Sequence, residues 1–302
     1  MIKSRLRSLP VVFTALLAAG VISQWARAEN PVPKVNPDLP PLRIAFIPST
    51  NPDQLIDDVR PVVRYFEQQL GRPVRSYMML DYSAAVEALR SDHVDITFMS
   101  PLPYVLAHRM GVADALLGEV YRGRTTYRAK IFVRRDSGIR KLEDLRGKTI
   151  AFVDPISSSG FMYPRDIFHR AGLLKPEEAP EKFFRRVYFA GGDEQAIRSV
   201  FNRFTDAAGI GEFSILLLRP EERDAVVAIG ESVEIPSHCV AVRKGLDRKL
   251  RNAFREAALK LNQPAHRHLL RALYGTDGYV PVTHENFLGV EEMARTYGFL
   301  KN

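Results

Sequence analysis

The chain has 302 residues, 46% hydrophobic and 26% charged, with a single cysteine. This is the composition of a globular protein with ample core, and it leaves no room for an internal disulfide framework. The formal charge of +8 falls to +4, 39 basic residues against 35 acidic, once the first 28 residues are set aside. A balance that mild suits a small anion and falls short of a nucleic-acid footprint.

The N-terminus carries Lys3, Arg5 and Arg7, then the 13-residue apolar run VVFTALLAAGVIS, then Ala26-Arg27-Ala28. That order describes a secretory signal peptide over 1–28, cleaved after Ala28; it is too short and wrongly flanked for a membrane span. Residues 29–41 (ENPVPKVNPDLPP) hold five prolines and read as an extended leader.

Strands and helices then alternate. LRIAFIPS reads as a strand, DQLIDDVRPVVRYFEQQLG as a helix stopped by Gly71, PVRSYMML as a strand and YSAAVEALRSD as a helix; VDITFMS and PLPYVLAHRMG complete a βαβαβα series. The pattern restarts with LEDLRGKTIAFVDP (helix, turn, strand), SSGFMYPRDIFHRAG (helix), FRRVYFAGG (strand), DEQAIRSVFNRF (helix) and TDAAGIGEF (strand). The segments AVEALRSDHVDITFM and AIRSVFNRFTDAAGI share one plan: amphipathic helix, polar turn, Asp, small apolar strand. Two similar α/β lobes follow from this repetition, with mixed, mostly parallel sheets.

Two β-like runs fit neither repeat, TTYRAKIFVRR (125–135) and ESVEIPSHCVAVRKG (231–245). They read as two hinge strands, with 42–127 plus 238–302 forming lobe 1 and 128–237 an inserted lobe 2. LDRKLRNAFREAALKLN and AHRHLLRALYG supply two more helices for lobe 1, and Cys239 reads as a buried strand residue rather than a reactive thiol.

Ligands of open parallel sheets sit beyond the carboxyl ends of the strands, where helices begin. Three such junctions stand out: PSTNPD with Thr50, SPLPY with Ser100, and DPISSSG with Ser157, Ser158, Ser159 and Gly160. A helix start offers unpaired N–H groups and a partial positive charge, serines add hydroxyl donors, and a glycine lets backbone approach a ligand. Each hydrogen bond to a charged group is worth about 1.5–3 kcal/mol, so several would hold a small anion without a metal or a lysine. Any one junction alone is explained by helix capping.

The runs RIAFIPST, DYSAAVEALRSDHVDITFMSPLPYVLA, LEDLRGKTIAFVDPISSSGFMYP and FAGGDEQAI together resemble the phosphonate/phosphite-binding family of periplasmic substrate-binding proteins of ABC importers. The resemblance covers roughly 42–245. It implies the two-lobed type II binding-protein fold, a periplasmic location and an oxyanion ligand held between the lobes. The family's Ser-Thr-Ser-Gly loop is matched by Ser157-Ser158-Ser159-Gly160, and its ligand contacts fall on Tyr82, Tyr127 and the three serines. Two positions depart from the family. Gly192, Asp193 and Glu194 stand in the segment AGGDEQA where the family often has a histidine, and His238 stands where an acid holds the amine of aminophosphonates in some members; the second such acid falls near Glu212 or Phe213.

No G-x-S-x-G elbow or Ser–His–acid set points to an enzyme, and His266 and His268, two apart on a helix, do not share a face for a metal. A monomer with no cofactor is expected, partnered by an ABC permease or by a membrane sensor kinase; the residues do not choose between these two.

Overall fold

The computed structural model describes residues 34–47 and 52–301; Thr50, the apolar N-terminal run and the start of the leader lie outside these residues. The chain lays down β1 (Leu42–Phe46), α1 (Pro52–Leu70), β2 (Val74–Met78), α2 (Tyr82–Arg90), β3 (Ile96–Met99), α3 (Pro101–Arg109) and β4 (Ala113–Val120). After β5 (Thr126–Tyr127) come β6 (Ala129–Arg134), β7 (Thr149–Phe152), α4 (Tyr163–Arg170), β8 (Arg186–Phe189), α5 (Asp193–Phe201), β9 (Ala207–Gly211) and β10 (Val226–Glu231). The return passes through β11 (Ile235–Pro236), β12 (Cys239–Arg243), α6 (Arg248–Lys260), α7 (Arg267–Ala272), β13 (Gly278–Pro281) and α8 (Leu288–Thr296).

Two sheets result, ordered β13-β4-β12-β3-β1-β2 and β10-β6-β9-β7-β8. Each has three parallel strands at one edge (β3-β1-β2 and β9-β7-β8), followed by one antiparallel strand, β12 or β6. The repeat seen in the sequence is therefore a repeat of sheet topology. Between the sheets, β5 and β11 pair as a short antiparallel ribbon, Tyr127 opposite Ile235 and Thr126 opposite Pro236. The strand that follows each of them enters a sheet, β6 the second and β12 the first, so the sheets are joined by two adjacent connections.

Side-chain alternation puts helices on both faces. Leu42, Ile44 and Phe46 of β1 pack with Phe66 of α1 and Phe254 of α6, while Ala45 packs with Leu89 of α2 and Leu102 of α3. In the second sheet Ile150 and Phe152 face Phe168 of α4, and Ala151 and Val153 face Ile197 and Val200 of α5. Such period-2 division is what a strand covered on both sides requires. Cys239 is fully buried in β12.

Some elements differ from the sequence reading. LEDL forms only a four-residue 3-10 turn, Leu142–Leu145. The helix expected from Ser158 begins as a π-helical turn, Ser158–Met162, before α4 takes over at Tyr163. Strands β4, β10 and β13 and helix α8 were not anticipated. β4 (ADALLGEV) is buried on both faces and so shows little alternation, and β13 (GYVP) is short and ends on proline.

Candidate functional site

A cavity of about 180 Å³ lies between the two sheets at the carboxyl ends of their parallel strands. The first lobe lines it with Ile47 after β1, Tyr82 at the start of α2, Phe98 and Met99 of β3, and Glu119 and Tyr121 at the end of β4. The second contributes Val153, Asp154 and Ser159 after β7, Gly191 and Asp193 at the start of α5, and Phe213 and Ser214 after β9. Tyr127 from the ribbon and His238 just beyond it complete the wall where the lobes join.

The three serines have three different partners. Ser157 Oγ accepts the Gly160 N–H at 3.1 Å and caps its own turn. Ser158, fully buried, leaves its lobe: its Oγ accepts from Ser100 Oγ at 2.7 Å and from the Leu102 N–H at 2.7 Å, while its N–H donates to Ser100 Oγ at 3.2 Å. Ser100, the N-cap residue of α3, makes no side-chain cap of its own, so the cap arrives from the other lobe. Ser159 alone of the three lines the cavity, and its Oγ accepts from the Tyr127 hydroxyl at 3.2 Å. Gly160 has a packing reason. A Cβ there would stand 2.4 Å from Val153 Cβ, so the turn closes on β7 only without one.

The other helix starts at the cleft are likewise met by the chain's own oxygens. Asp81 caps α2 through the Ala84 N–H at 2.7 Å. Asp154 accepts the Ile156 N–H at 2.8 Å and faces the Tyr82 N–H from across the cleft. Asp193, first residue of α5, accepts the Ser214 hydroxyl at 2.7 Å, and the N–H groups of Gly211 and of Asp193 itself bear on it. Burial nonetheless outweighs these bonds and raises the carboxyls of Asp154 and Asp193 above their ordinary value.

Glu119 is the acid that sequence reasoning missed. It is 1% exposed; the Tyr121 hydroxyl donates to its Oε2, and its Oε1 has no partner among the described residues. Burial pushes this carboxyl up to about 7 against the opposing pull of the Tyr121 bond. Tyr121 is presented by a tight turn, Arg122 and Gly123 both in the left-handed region at φ 49° and 73°, with Tyr121 and Arg124 exchanging backbone bonds. A signal existed in GEVYRG, but it lay in a strand that the sequence reading did not recognise.

The histidine beside this acid is neutral. His238 stacks on Tyr127 at 5.6 Å between ring centroids, and burial lowers its imidazole to about 4. Glu212 and Phe213, the two candidates for the second acid position, lie in different surroundings. Glu212 accepts the Arg128 N–H at 3.1 Å and an Arg124 N–H at 3.0 Å outside the cavity, whereas Phe213 lines it. Tyr274, from the tail, closes the first-lobe side and bonds the backbone of Ile47 in both directions at 3.1 Å. Among the described residues, no lysine or arginine lines the cavity.

Residues 44–287 match the family described as phosphonate ABC transporter, periplasmic substrate-binding protein. A phosphate-import protein of Mycolicibacterium smegmatis is 32% identical over 171 residues, 55% of this chain and 53% of that one, so the match spans about half of that relative. Among solved structures, a binding-protein component of an ABC phosphonate transporter from Pseudomonas aeruginosa superposes with TM-score 0.77 at 21% identity, covering 86% of this chain and 87% of that one. A Prochlorococcus marinus protein in complex with methylphosphonate gives 0.75 at 17% identity, covering 86% and 98%. At such identities the superpositions establish the two-lobed fold.

Proposed function

The chain belongs to the periplasmic substrate-binding family of phosphonate ABC transporters, and from that membership we propose that it captures a small phosphonate-class solute in the cleft and delivers it to an ABC permease. The observation that carries this reading is the shared cavity. Ser159 of the second lobe, Tyr82 of the first and Tyr127 of the connection line one space, and each brings a hydroxyl able to donate to an oxyanion. A volume of about 180 Å³ fits a compact solute of a few heavy atoms.

The lobes, 42–127 with 238–302 and 128–237, turn about the β5–β11 ribbon, and ligand contacts from both sides favour the closed arrangement that the permease recognises. Export with cleavage after Ala28 and action as a monomer belong to the same reading, as does binding without catalysis. A solute-binding role needs only differential affinity for two arrangements of the lobes.

The test is a thermal-shift panel on residues 29–302 with phosphate, phosphite, hypophosphite, methylphosphonate, 2-aminoethylphosphonate, sulfate and a sulfonate. A ligand at one hundred times its dissociation constant adds about 2.7 kcal/mol of stability, a shift that such a scan resolves. A phosphonate is expected to stabilise and sulfate is not. No shift from any phosphorus compound, in folded and ligand-free protein, removes the phosphonate reading.

A further inference from the structure

We propose that Tyr297 and Phe299, which follow α8, are positioning residues for ligand capture: they latch the first lobe onto α4 of the second. The latch holds the lobes together with the cleft empty, and it slows the release of a bound solute. Only the effect on release rests on the cleft being the site of a phosphonate-class ligand.

The segment after α8 belongs to the first lobe by chain order and to both lobes by packing. Val290 and Ala294 of α8 share an apolar cluster with Leu102 and Val105 of α3. Helix α8 then stops in a Schellman turn. The Phe299 N–H donates to the Ala294 carbonyl at 2.8 Å and the Gly298 N–H to the Arg295 carbonyl at 3.1 Å, with Gly298 in the left-handed region at φ 73°. That turn fixes the direction in which the next side chains leave. Phe299 packs against the cluster around α3 and also against the core of the second lobe, where its ring stands edge-on to Phe161 at 6.3 Å between centroids.

The second lobe has two buried charges that this segment satisfies. Arg165 and Asp166 of α4 are 9% and 3% exposed. Arg170 takes Asp166 Oδ2 at 2.5 Å, and the Tyr297 hydroxyl donates to Oδ1 at 3.1 Å. The Arg165 guanidinium lies over the rings of Phe161 and Tyr297, 5.2 and 5.1 Å from their centroids. Withdrawing Tyr297 would leave a buried carboxylate oxygen and one face of a buried guanidinium without these partners, which is costly. Two helices tie these contacts to the cleft. Helix α4 grows out of the turn whose Ser158 caps α3 across the cleft, and α3 is the helix on which α8 packs. Asp166 stands about two turns further along from Ser158. The latch and the cross-cleft cap therefore bear on the same pair of helices, and parting one loads the other. None of Arg165, Asp166, Tyr297 and Phe299 lines the cavity, so the latch acts on the lobes and not on the ligand.

The experiment reads the Leu102 N–H, whose acceptor is Ser158 across the cleft. Hydrogen exchange is measured on ligand-free protein, residues 29–302, where wild type is expected to protect this amide. Phe299→Ala is expected to speed its exchange about tenfold, through loss of buried aromatic area. Tyr297→Phe keeps the ring beside Arg165, removes only the hydroxyl and is expected to speed exchange about threefold. Core amides of β1 and β7 should keep their wild-type rates in both variants, which a general loss of stability would not allow. Methylphosphonate should also leave both variants faster than wild type, followed by stopped-flow tyrosine fluorescence. If Phe299→Ala does not fold, Tyr297→Phe carries the test alone. An unprotected Leu102 amide in wild type, unchanged exchange in a folded variant, or unchanged release would overturn the latch. If wild type does not bind methylphosphonate, the phosphonate reading loses that ligand, and exchange at Leu102 still decides the latch.

Discussion

Glu119 shows what one buried residue can impose. In the unfolded chain its carboxyl has the ordinary value of 4.5, and in the folded protein it titrates near 7. A raised folded value means that the native state binds the proton more tightly. The associated stability is complete below pH 4.5, declines as pH rises through about 7, and is absent above it. The size of the shift corresponds to roughly 3 kcal/mol. Glu119→Gln keeps an oxygen for Tyr121 and removes the titration, so the variant should gain stability relative to wild type between pH 4.5 and 7.5. Urea unfolding of both proteins across that range measures the difference; a constant difference would show that Glu119 is already ionised in the native state at pH 4.5. The sequence displayed this residue in GEVYRG but could not display its burial, which comes from β12 and β13 flanking β4, strands more than 100 positions away.

At the scale of elements, the serine loop was found for a sound reason and then put to more than one use. Three hydroxyls beside a helix start suggested an anion cradle; the structure gives one to its own turn, one to α3 across the cleft and one to the cavity wall. Only Ser157 has a partner near in sequence. Ser158 meets Ser100 and Leu102 because β3 and β7 end on the same cleft, and no spacing rule encodes that. Ser158→Ala should leave the Leu102 N–H and the Ser100 hydroxyl unpaired in a buried place and cost about 1–3 kcal/mol of stability. Chemical denaturation reads that loss directly, and wild-type stability in Ser158→Ala would mean that water reaches the start of α3. The alternation of helices and strands in the two repeats was legible, because LRIAFIPS and KTIAFV are short apolar runs bounded by turns. β4 and β10 were not, since each enters its sheet as an antiparallel neighbour of a strand close to the ribbon, outside the βα rhythm.

For the whole molecule, the sheets repeat one topology, two connections join them, and the chemistry concentrates where their carboxyl ends meet. Among the described residues, interlobe contacts off the ligand wall include Ser158 with Ser100, Arg124 with Glu212, and the Tyr297 hydroxyl, which follows α8 and donates to Asp166 of α4 at 3.1 Å; Met162 and Tyr163 also pack in one apolar cluster with Leu102 and Val290. The lobes therefore hold each other through polar contacts, a shared apolar cluster and the ribbon, and ligand contacts of several kcal/mol add to these in the closed arrangement. The fold class was read from the sequence because a repeated βα pattern survives in composition and spacing. The acidic, aromatic character of the cleft was not, because its members come from many short stretches scattered between Ile47 and Tyr274. The most direct test is a calorimetric titration of 2-aminoethylphosphonate into wild type and Ser159→Ala. Single-site binding in wild type, weakened about 10- to 100-fold by loss of one hydrogen bond to a charged group, is the expected result. Equal affinities in the two proteins would place the ligand elsewhere and contradict capture in the interlobe cleft.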